Sequence, residues 1–437
     1  MSIKNNTNLD SKPFDWQNCW YPITFVQDFF EDKPYSFSLY NEPLVLFRNT
    51  EGELVCLRDL CPHRAAQLSD GQIIEGKIEC LYHGWQFGND GECVHIPQLE
   101  TSAKIPKQAC IKSFPVIEFQ GIIWVWLGDK DTARQEFIPE VFAAEKTGIF
   151  IVDTVTDLPY DQNFLIENFL DPAHVPISHD GTELGMKREF ASPLRMEVNS
   201  SSIEGFTGRY QKSVAGNLPW SETAFIKVNF TPPCLVQYEF GSEKTGVIGG
   251  FDLYALPLGA GESRVLVRRY GNFFKRSFKL KPRWLEHLRQ NKLLEEDLPF
   301  ILKQQAYVEH TGKNLKDIYL PLKSSDVFVL EHRKWLDKFG ENLPFYQGFT
   351  SYKVSQNSHG SKMKLDRFSR HTQICSSCFQ AYQTINLLKN VLIAAAILLA
   401  AIALVADNQK IEIICVLFAL LAIGKVAFLI KLKESFL

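Results

Sequence analysis

Apolar and polar positions along the 437 residues fall into three successive patterns. From residue 14 onward, short β-type runs alternate with turn formers. Residues 44–47 and 54–57 flank Asn49-Thr50-Glu51-Gly52, which predicts a hairpin. Further short runs occupy 78–81 and 122–127. After residue 149 the runs lengthen, and 228–240, 247–256 and 264–273 read as consecutive antiparallel strands, the last two joined by the turn-rich segment 257–262. Between Trp284 and His310 the spacing becomes helical, through Leu285, Leu288, Leu293, Leu294, Leu298, Ile301 and Leu302. The pattern predicts an α+β chain: an all-β domain, then an antiparallel sheet closed by a long helix. The third pattern is an unbroken apolar run at 391–406, extended upstream across Lys389, and a second at 411–430 interrupted by Glu412 and Lys425. Each approaches the ~20 residues that cross a bilayer, and Asp407-Asn408-Gln409-Lys410 makes a tight turn between them.

These shifts set expected boundaries: a disordered N-terminus at 1–13, the small β domain at 14–131, the sheet-and-helix domain at 149–349, a polar tether at 350–384, and a transmembrane helical hairpin at 385–431. A buried helical hairpin is the alternative for the last. Lys425 disfavours a plain lipid-facing helix, since a mid-membrane Lys costs about 2.5–3.5 kcal/mol, unless it snorkels or faces the first helix. Basic residues at both outer flanks (Arg367, Arg370, Lys389; Lys431, Lys433) predict that both termini, with the soluble body, face the cytoplasmic side. The first sixteen residues are polar and contain two Asp, resembling neither a secretory signal nor an Arg- and Ser-rich transit peptide. A net charge of −3 gives no reason to expect nucleic acid. Ten cysteines in a chain without a signal suit a reducing compartment.

Chemistry concentrates at 59–97. Asp59-Leu60-Cys61-Pro62-His63-Arg64 is followed by Cys80-Leu81-Tyr82-His83-Gly84-Trp85. One Cys and one His from each of two loops meet the ligand demand of a Rieske [2Fe–2S] centre, with two thiolates on one iron and two imidazoles on the other. A zinc site accepts the same ligand types, but its motifs usually place Cys with Cys and His with His. In the second domain, Asp171-Pro172-Ala173-His174-Val175-Pro176-Ile177-Ser178-His179 offers two further imidazoles. Asp171-Pro172 reads as a helix start. Histidines five apart diverge by about 140° on a regular helix, and Pro176 bends the chain so that they converge. A non-haem Fe(II) site needs two His and one carboxylate, with open positions for O₂. Asp297 on the long helix is the leading carboxylate, with Glu296 next. Asp171 is the rival, better placed to orient His174.

Together, CPHR…CLYHGW and N-x-x-D-x-x-H-x₄-H, with Phe14-Asp15-Trp16, Trp20-Tyr21-Pro22 and Cys93-Val94-His95-Ile96-Pro97-Gln98, resemble the pheophorbide a oxygenase group of Rieske non-haem iron oxygenases. That group includes the translocon-associated Rieske protein of the chloroplast inner envelope. The resemblance covers nearly the whole chain. It implies a Rieske domain and a helix-grip (START-like) catalytic domain with a C-terminal membrane hairpin. Cys61, His63, Cys80 and His83 carry over as cluster ligands, His174 and His179 as iron ligands, and Asp297 as the third ligand. Asp171 carries over as the bridging acid, with Asn168 beside it in the motif. The implied activity is a membrane-anchored monooxygenase that takes electrons from ferredoxin or a ferredoxin-like reductase. It would use O₂ on a chlorophyll-type tetrapyrrole or another hydrophobic aromatic. A homotrimer and a cyanobacterium-like plasma or thylakoid membrane follow from the same analogy.

Two further features stay open. Cys375-x-x-Cys378 is either a thioredoxin-controlled dithiol or a pair of ordinary thiols. Eight basic residues between 264 and 283 form either a solvated strand edge or a docking face for ferredoxin or anionic lipid. His95, His287, His310, His332, His359 and His371 sit in no motif and read as ordinary histidines. A non-catalytic membrane redox sensor or an electron carrier is the functional alternative. Electron-carrier Rieske proteins carry two further cysteines beside the ligand loops, and 64–67 and 81–82 contain none.

Overall fold

The computed structural model describes residues 12–141, 149–182, 186–212, 226–242, 246–272, 281–353 and 363–437. The expected disordered segment at 1–13 lies almost wholly outside them. The chain forms two compact units: Met1–Lys275 with Leu293–Met363, and Arg276–Lys292 with Lys364–Leu437.

The first unit begins with eleven short strands: β1 (Trp20–Phe25), β2 (Tyr35–Leu39), β3 (Glu42–Arg48), β4 (Leu54–Arg58), β5 (Gln72–Ile74), β6 (Lys77–Glu79), β7 (Gln86–Phe87), β8 (Cys93–His95), β9 (Ser113–Phe114), β10 (Val116–Phe119) and β11 (Ile122–Trp126). They make three small antiparallel sheets, ordered β1-β11-β10, β2-β3-β4-β9 and β5-β6-β7-β8. The predicted β3–β4 hairpin forms because Asn49 Oδ1 accepts the backbone N–H groups of Glu51 and Glu53, while Gly52 takes a positive φ of 81°. Val45, Phe47, Val55, Leu57, Leu68, Ile78 and Phe87 fill one core, and Cys61 and Cys80 belong to it.

Next comes a seven-stranded antiparallel sheet built from β12 (Phe150–Leu158), β13 (Leu194–Ser202), β14 (Gly205–Lys212), β15 (Ile226–Thr231), β16 (Leu235–Ser242), β17 (Val247–Gly259) and β18 (Glu262–Gly271), in the order β12-β18-β17-β16-β15-β14-β13. The run 228–240, expected as one strand, is two. Pro232 and Pro233 lack the N–H a ladder needs, so the chain turns there and Thr231 pairs with Leu235. Helices α1 (Gln162–Leu170) and α2 (Val175–Ser178) follow β12. The long helix α3 (Arg283–Thr311) matches its predicted span, and a second helix, α4 (Val327–Phe339), joins it. The sheet and the helices that follow it give the α+β architecture expected from the sequence.

The expected basic face is corrected by β18. Arg264 is 3% exposed and Arg268 is 4% exposed. Arg264 makes a bidentate pair with Asp157 on β12 and donates to Ile23 O and Tyr35 Oη, in and after the β1 region. Arg268 pairs with Asp153 and donates to Gln120 O at 2.7 Å. These guanidiniums join the two domains of the first unit from within rather than offering a charged surface. Of the other six, Arg269 and Arg283 are half-buried, Lys281 is exposed, and Lys275, Arg276 and Lys279 lie outside the described residues.

In the second unit, α5 (Ser376–Val405) and α6 (Gln409–Glu434) are both long and apolar enough to cross a membrane. Asn408 caps α6 by accepting the Lys410 N–H at 2.9 Å. Large apolar side chains point outward along both, among them Ile397, Leu404, Leu417 and Phe428. Lys425 is exposed as well, so it does not turn inward against α5.

Candidate metal centres

The first centre is built by two loops, one between β4 and β5 and the other between β6 and β7. Each closes the same way. Ala65 N–H donates to Cys61 O and Cys61 N–H to Ala66 O, both at 2.8 Å. Gly84 N–H donates to Cys80 O at 2.8 Å and Cys80 N–H to Trp85 O at 2.9 Å. The residue closing each turn is left-handed, Ala65 at φ 56° and Gly84 at φ 74°. A Cβ on Gly84 would also stand 2.9 Å from Pro97 Cγ. Upstream, buried Asp59 fixes the first loop by accepting Ser69 N–H at 2.7 Å and Ser69 Oγ–H at 2.6 Å.

This duplication brings the four predicted ligands together. The His63 and His83 ring centroids are 4.3 Å apart. His63 stacks on Trp85 at 4.8 Å with an interplanar angle of 2°. Burial pushes the Cys61 thiol up to about 11, against backbone N–H groups of His63 and Arg64 that favour its thiolate, while neighbouring Cys80 opposes it. Two buried sulfurs lie side by side and two imidazoles lie side by side, as a cluster with sulfur on one iron and nitrogen on the other requires. His63 Nδ1 is buried with no hydrogen-bond partner, an orphan that a metal satisfies. The residues fit a [2Fe–2S] cluster.

The second centre differs from its sequence expectation in local structure. Asp171 does not start a helix. It ends α1 as the C-cap, and its Oδ1 accepts the Ala173 N–H at 2.8 Å. His174 and His179 are instead the N-cap and C-cap of the single-turn helix α2, with Pro176 in its first turn. Flanking one turn, rather than lying along a longer helix, is what lets the two rings converge. Their Nε2 atoms stand 3.5 and 3.4 Å from Asp297 Oδ2 on α3. The outer nitrogens have separate partners: His174 Nδ1 is 3.4 Å from Asp171 Oδ2, and His179 Nδ1 is 2.8 Å from Glu296 Oε2. Asn168 Nδ2 donates to Asp297 Oδ2 at 3.3 Å.

Burial disfavours a charged His174, yet the Asp171 and Asp297 carboxylates outweigh it and raise its pKa to about 10. Burial alone would raise Asp297, but hydrogen bonds from both histidines hold it well below the usual carboxylate range. The cluster thus draws positive charge into a buried place, and two imidazoles plus one carboxylate on one face suit Fe(II) with open positions.

A cavity of about 790 Å³ opens beside this cluster. Its wall includes His174, Asp297, Phe164, Ile301, Val329 and Leu330. The same wall holds a polar group, centred on buried Arg333, that sequence reading missed. Arg333 on α4 grips Glu167 through Nε at 2.7 Å and through its second terminal nitrogen, and Tyr319 Oη–H donates to Glu167 at 3.1 Å. A charged residue on a helix gives no local sign that it points inward. Exposed Leu320, Phe300 and Ile177 make an apolar rim.

A third set of donors comes together in the second unit. His287, His371, Cys375 and Cys378 are all buried, with ligand atoms within 4.8 Å of one another. Both histidines read as ordinary in the sequence, and 84 residues separate them.

Known proteins point the same way. Residues 19–115 match the Rieske [2Fe-2S] domain family and residues 230–314 match the pheophorbide a oxygenase family. Protein TIC 55 of the Arabidopsis thaliana chloroplast is 36% identical over 442 residues, covering 94% of this chain and 80% of its own length. Pheophorbide a oxygenase of the same plant's chloroplast is 30% identical over 464 residues, with 98% and 84% covered. In fold, crystalline dicamba monooxygenase superposes with a TM-score of 0.60 at 21% identity, covering 75% of this chain and 98% of its own. The sequence likeness extends through both metal-site regions and the fold through both domains, so the chain belongs to the pheophorbide a oxygenase group of Rieske non-haem iron oxygenases, enzymes with one [2Fe–2S] cluster and one mononuclear iron.

Proposed function

We propose that this chain is a membrane-anchored monooxygenase that oxygenates a chlorophyll-type tetrapyrrole or another large hydrophobic aromatic, using electrons from ferredoxin or a ferredoxin-like reductase. The cavity beside His174, His179 and Asp297 carries this reading. Its ~790 Å³ lies in the upper part of the range for small-molecule sites, and an apolar wall and rim suit a flat, apolar ring. Arg333, Glu167 and Tyr319 supply the few fixed polar groups that orient such a ligand. In this reading Cys61, Cys80, His63 and His83 hold the cluster. His174, His179 and Asp297 hold the mononuclear iron, and Glu296 orients His179. When bound, the two centres supply single electrons and O₂ activation beside the substrate.

Asp171 stands 3.4 Å from the outer nitrogen of His174 and remains partly exposed. By family analogy it also meets His63 or His83 of a neighbouring copy, which makes the working form a homotrimer. Exposed Leu81 and Tyr82 at the tip of the cluster loop suit either that neighbour or the electron donor. Outward-facing apolar side chains on α5 and α6 support the membrane anchor. Basic flanks support a cytoplasmic-side body on a plasma or thylakoid membrane of a cyanobacterium-like cell.

Purified, reduced protein incubated under ¹⁸O₂ with pheophorbide a, chlorophyllide a, protochlorophyllide and small aromatics tests the substrate class. The expected result is ¹⁸O in one tetrapyrrole product. Labelling of a small aromatic alone would overturn the tetrapyrrole reading.

A further inference from the structure

The structure assigns a third, structural metal site to the unit that carries α5 and α6: a zinc ion held by His287, His371, Cys375 and Cys378. Local structure explains how these residues meet. Cys375 is the N-cap of α5, so Cys378 falls in the helix's first turn on the same side. Just upstream, Phe368–Thr372 forms a single π-helical turn, and Cys375 N–H donates to His371 O at 3.0 Å. This tight His-x₃-Cys-x₂-Cys fold points three donors at one spot. The fourth, His287, comes from the second turn of α3.

Distances favour one ion over a cluster. His371 Nε2 lies 3.2 Å from Cys378 Sγ. His287 Nδ1 lies 3.2 Å from Cys375 Sγ and 3.6 Å from Cys378 Sγ. Tetrahedral zinc, with bonds of about 2.3 Å to sulfur and 2.0–2.1 Å to nitrogen, sets its ligand atoms about 3.3–3.8 Å apart. In a [2Fe–2S] centre sulfur and nitrogen ligands sit on different irons. Here each histidine touches a sulfur directly, unlike the paired imidazoles of His63 and His83. A mixed S₂N₂ set with no oxygen selects zinc over magnesium or calcium.

Burial and charge agree with this. All four residues are buried, with Cys375 and Cys378 fully so. Two thiolates and one Zn²⁺ sum to zero, so the filled site places no net charge in the interior. Arg283 Nη2 lies 4.0 Å from Cys375 Sγ. All ten cysteines lie outside disulfides. The apolar run of α5 begins well after Cys378, so the site sits at the foot of the hairpin, outside that run. Closure by zinc would fix the first turns of α3 to that foot. Around it, Thr372 Oγ1–H donates to Phe436 O at 2.7 Å and Trp284 packs on Phe436 at 5.7 Å.

Metal analysis of the full-length protein in detergent, grown with zinc and stripped of loosely bound metal, tests this directly. The expected content is about one zinc per chain in addition to iron, with an X-ray absorption shell of two sulfurs and two nitrogens. Cys375→Ser and His371→Ala should each lower zinc at least tenfold while the Rieske EPR signal persists. If either variant fails to accumulate, Co²⁺ substitution of the wild type decides instead, through thiolate charge-transfer and tetrahedral ligand-field bands. Zinc below about a tenth per chain, an oxygen-rich shell, or a Cys375–Cys378 disulfide in protein that retains its iron would overturn the assignment. The last result would restore the dithiol reading.

Discussion

Asp297 and Glu296 are neighbours on α3 that meet opposite sides of the iron-site histidines. Asp297 faces the convergent Nε2 atoms, and Glu296 faces the outer nitrogen of His179. Asp297→Asn should therefore lose the mononuclear iron and keep the cluster's EPR signal. Glu296→Gln should keep iron, with affinity weakened about 10–100-fold, as for other partners of metal-bound histidines. Metal content and EPR distinguish the two. Asp171→Asn should leave both metals bound but slow single-turnover oxidation of the cluster by about 10–100-fold or more. Unaltered cluster oxidation would remove the bridging role. Asp252 makes a separate, pH-dependent prediction. Burial pushes its carboxyl up to about 6, opposed by Gln237 and Arg268 and reinforced by Asp153. An unfolded Asp titrates near ~3.9, so the native state holds this proton more tightly. Its contribution to stability falls as pH rises from about 4 to 6 and then levels off. Asp252→Asn should flatten that part of the melting-temperature profile.

At the scale of elements, the β18 arginines hold β12 and the small β domain through charges that are out of water. Removing one partner of a buried pair typically costs about 3–5 kcal/mol. Arg264→Met should therefore lower the thermal midpoint of the cluster's absorbance clearly, and adding Asp157→Leu should recover most of the loss. Equal loss in both proteins would show that packing, not charge, matters there. The same elements show what was legible beforehand. Apolar periodicity located β17, β18, α3 and the hairpin helices because each buries or exposes a continuous stripe. It misread Arg264 and Arg268, since their partners Asp153 and Asp157 lie over 100 residues away on β12. It also ran through Pro232 and Pro233 because the flanking residues on both sides are β-type. The two candidate ligand loops stood out because each packs its Cys and His donors within four residues. His287 did not, because helix packing alone brings it to the Cys375–Cys378 pair, whereas His371 was a local signal, four residues before Cys375, that was passed over.

Across the whole molecule, the chain divides its work between two units. One carries the cluster loops, the iron site and the cavity, and the other carries the apolar helices and the four-donor site. The account stands on the first unit holding two separate iron centres, as its family does. Iron analysis combined with EPR tests this most directly. Wild type should contain about three irons per chain, two in the cluster and one mononuclear, with a rhombic Rieske signal. His174→Ala should contain about two, with that signal intact. A wild-type count of two that His174→Ala leaves unchanged would contradict the account.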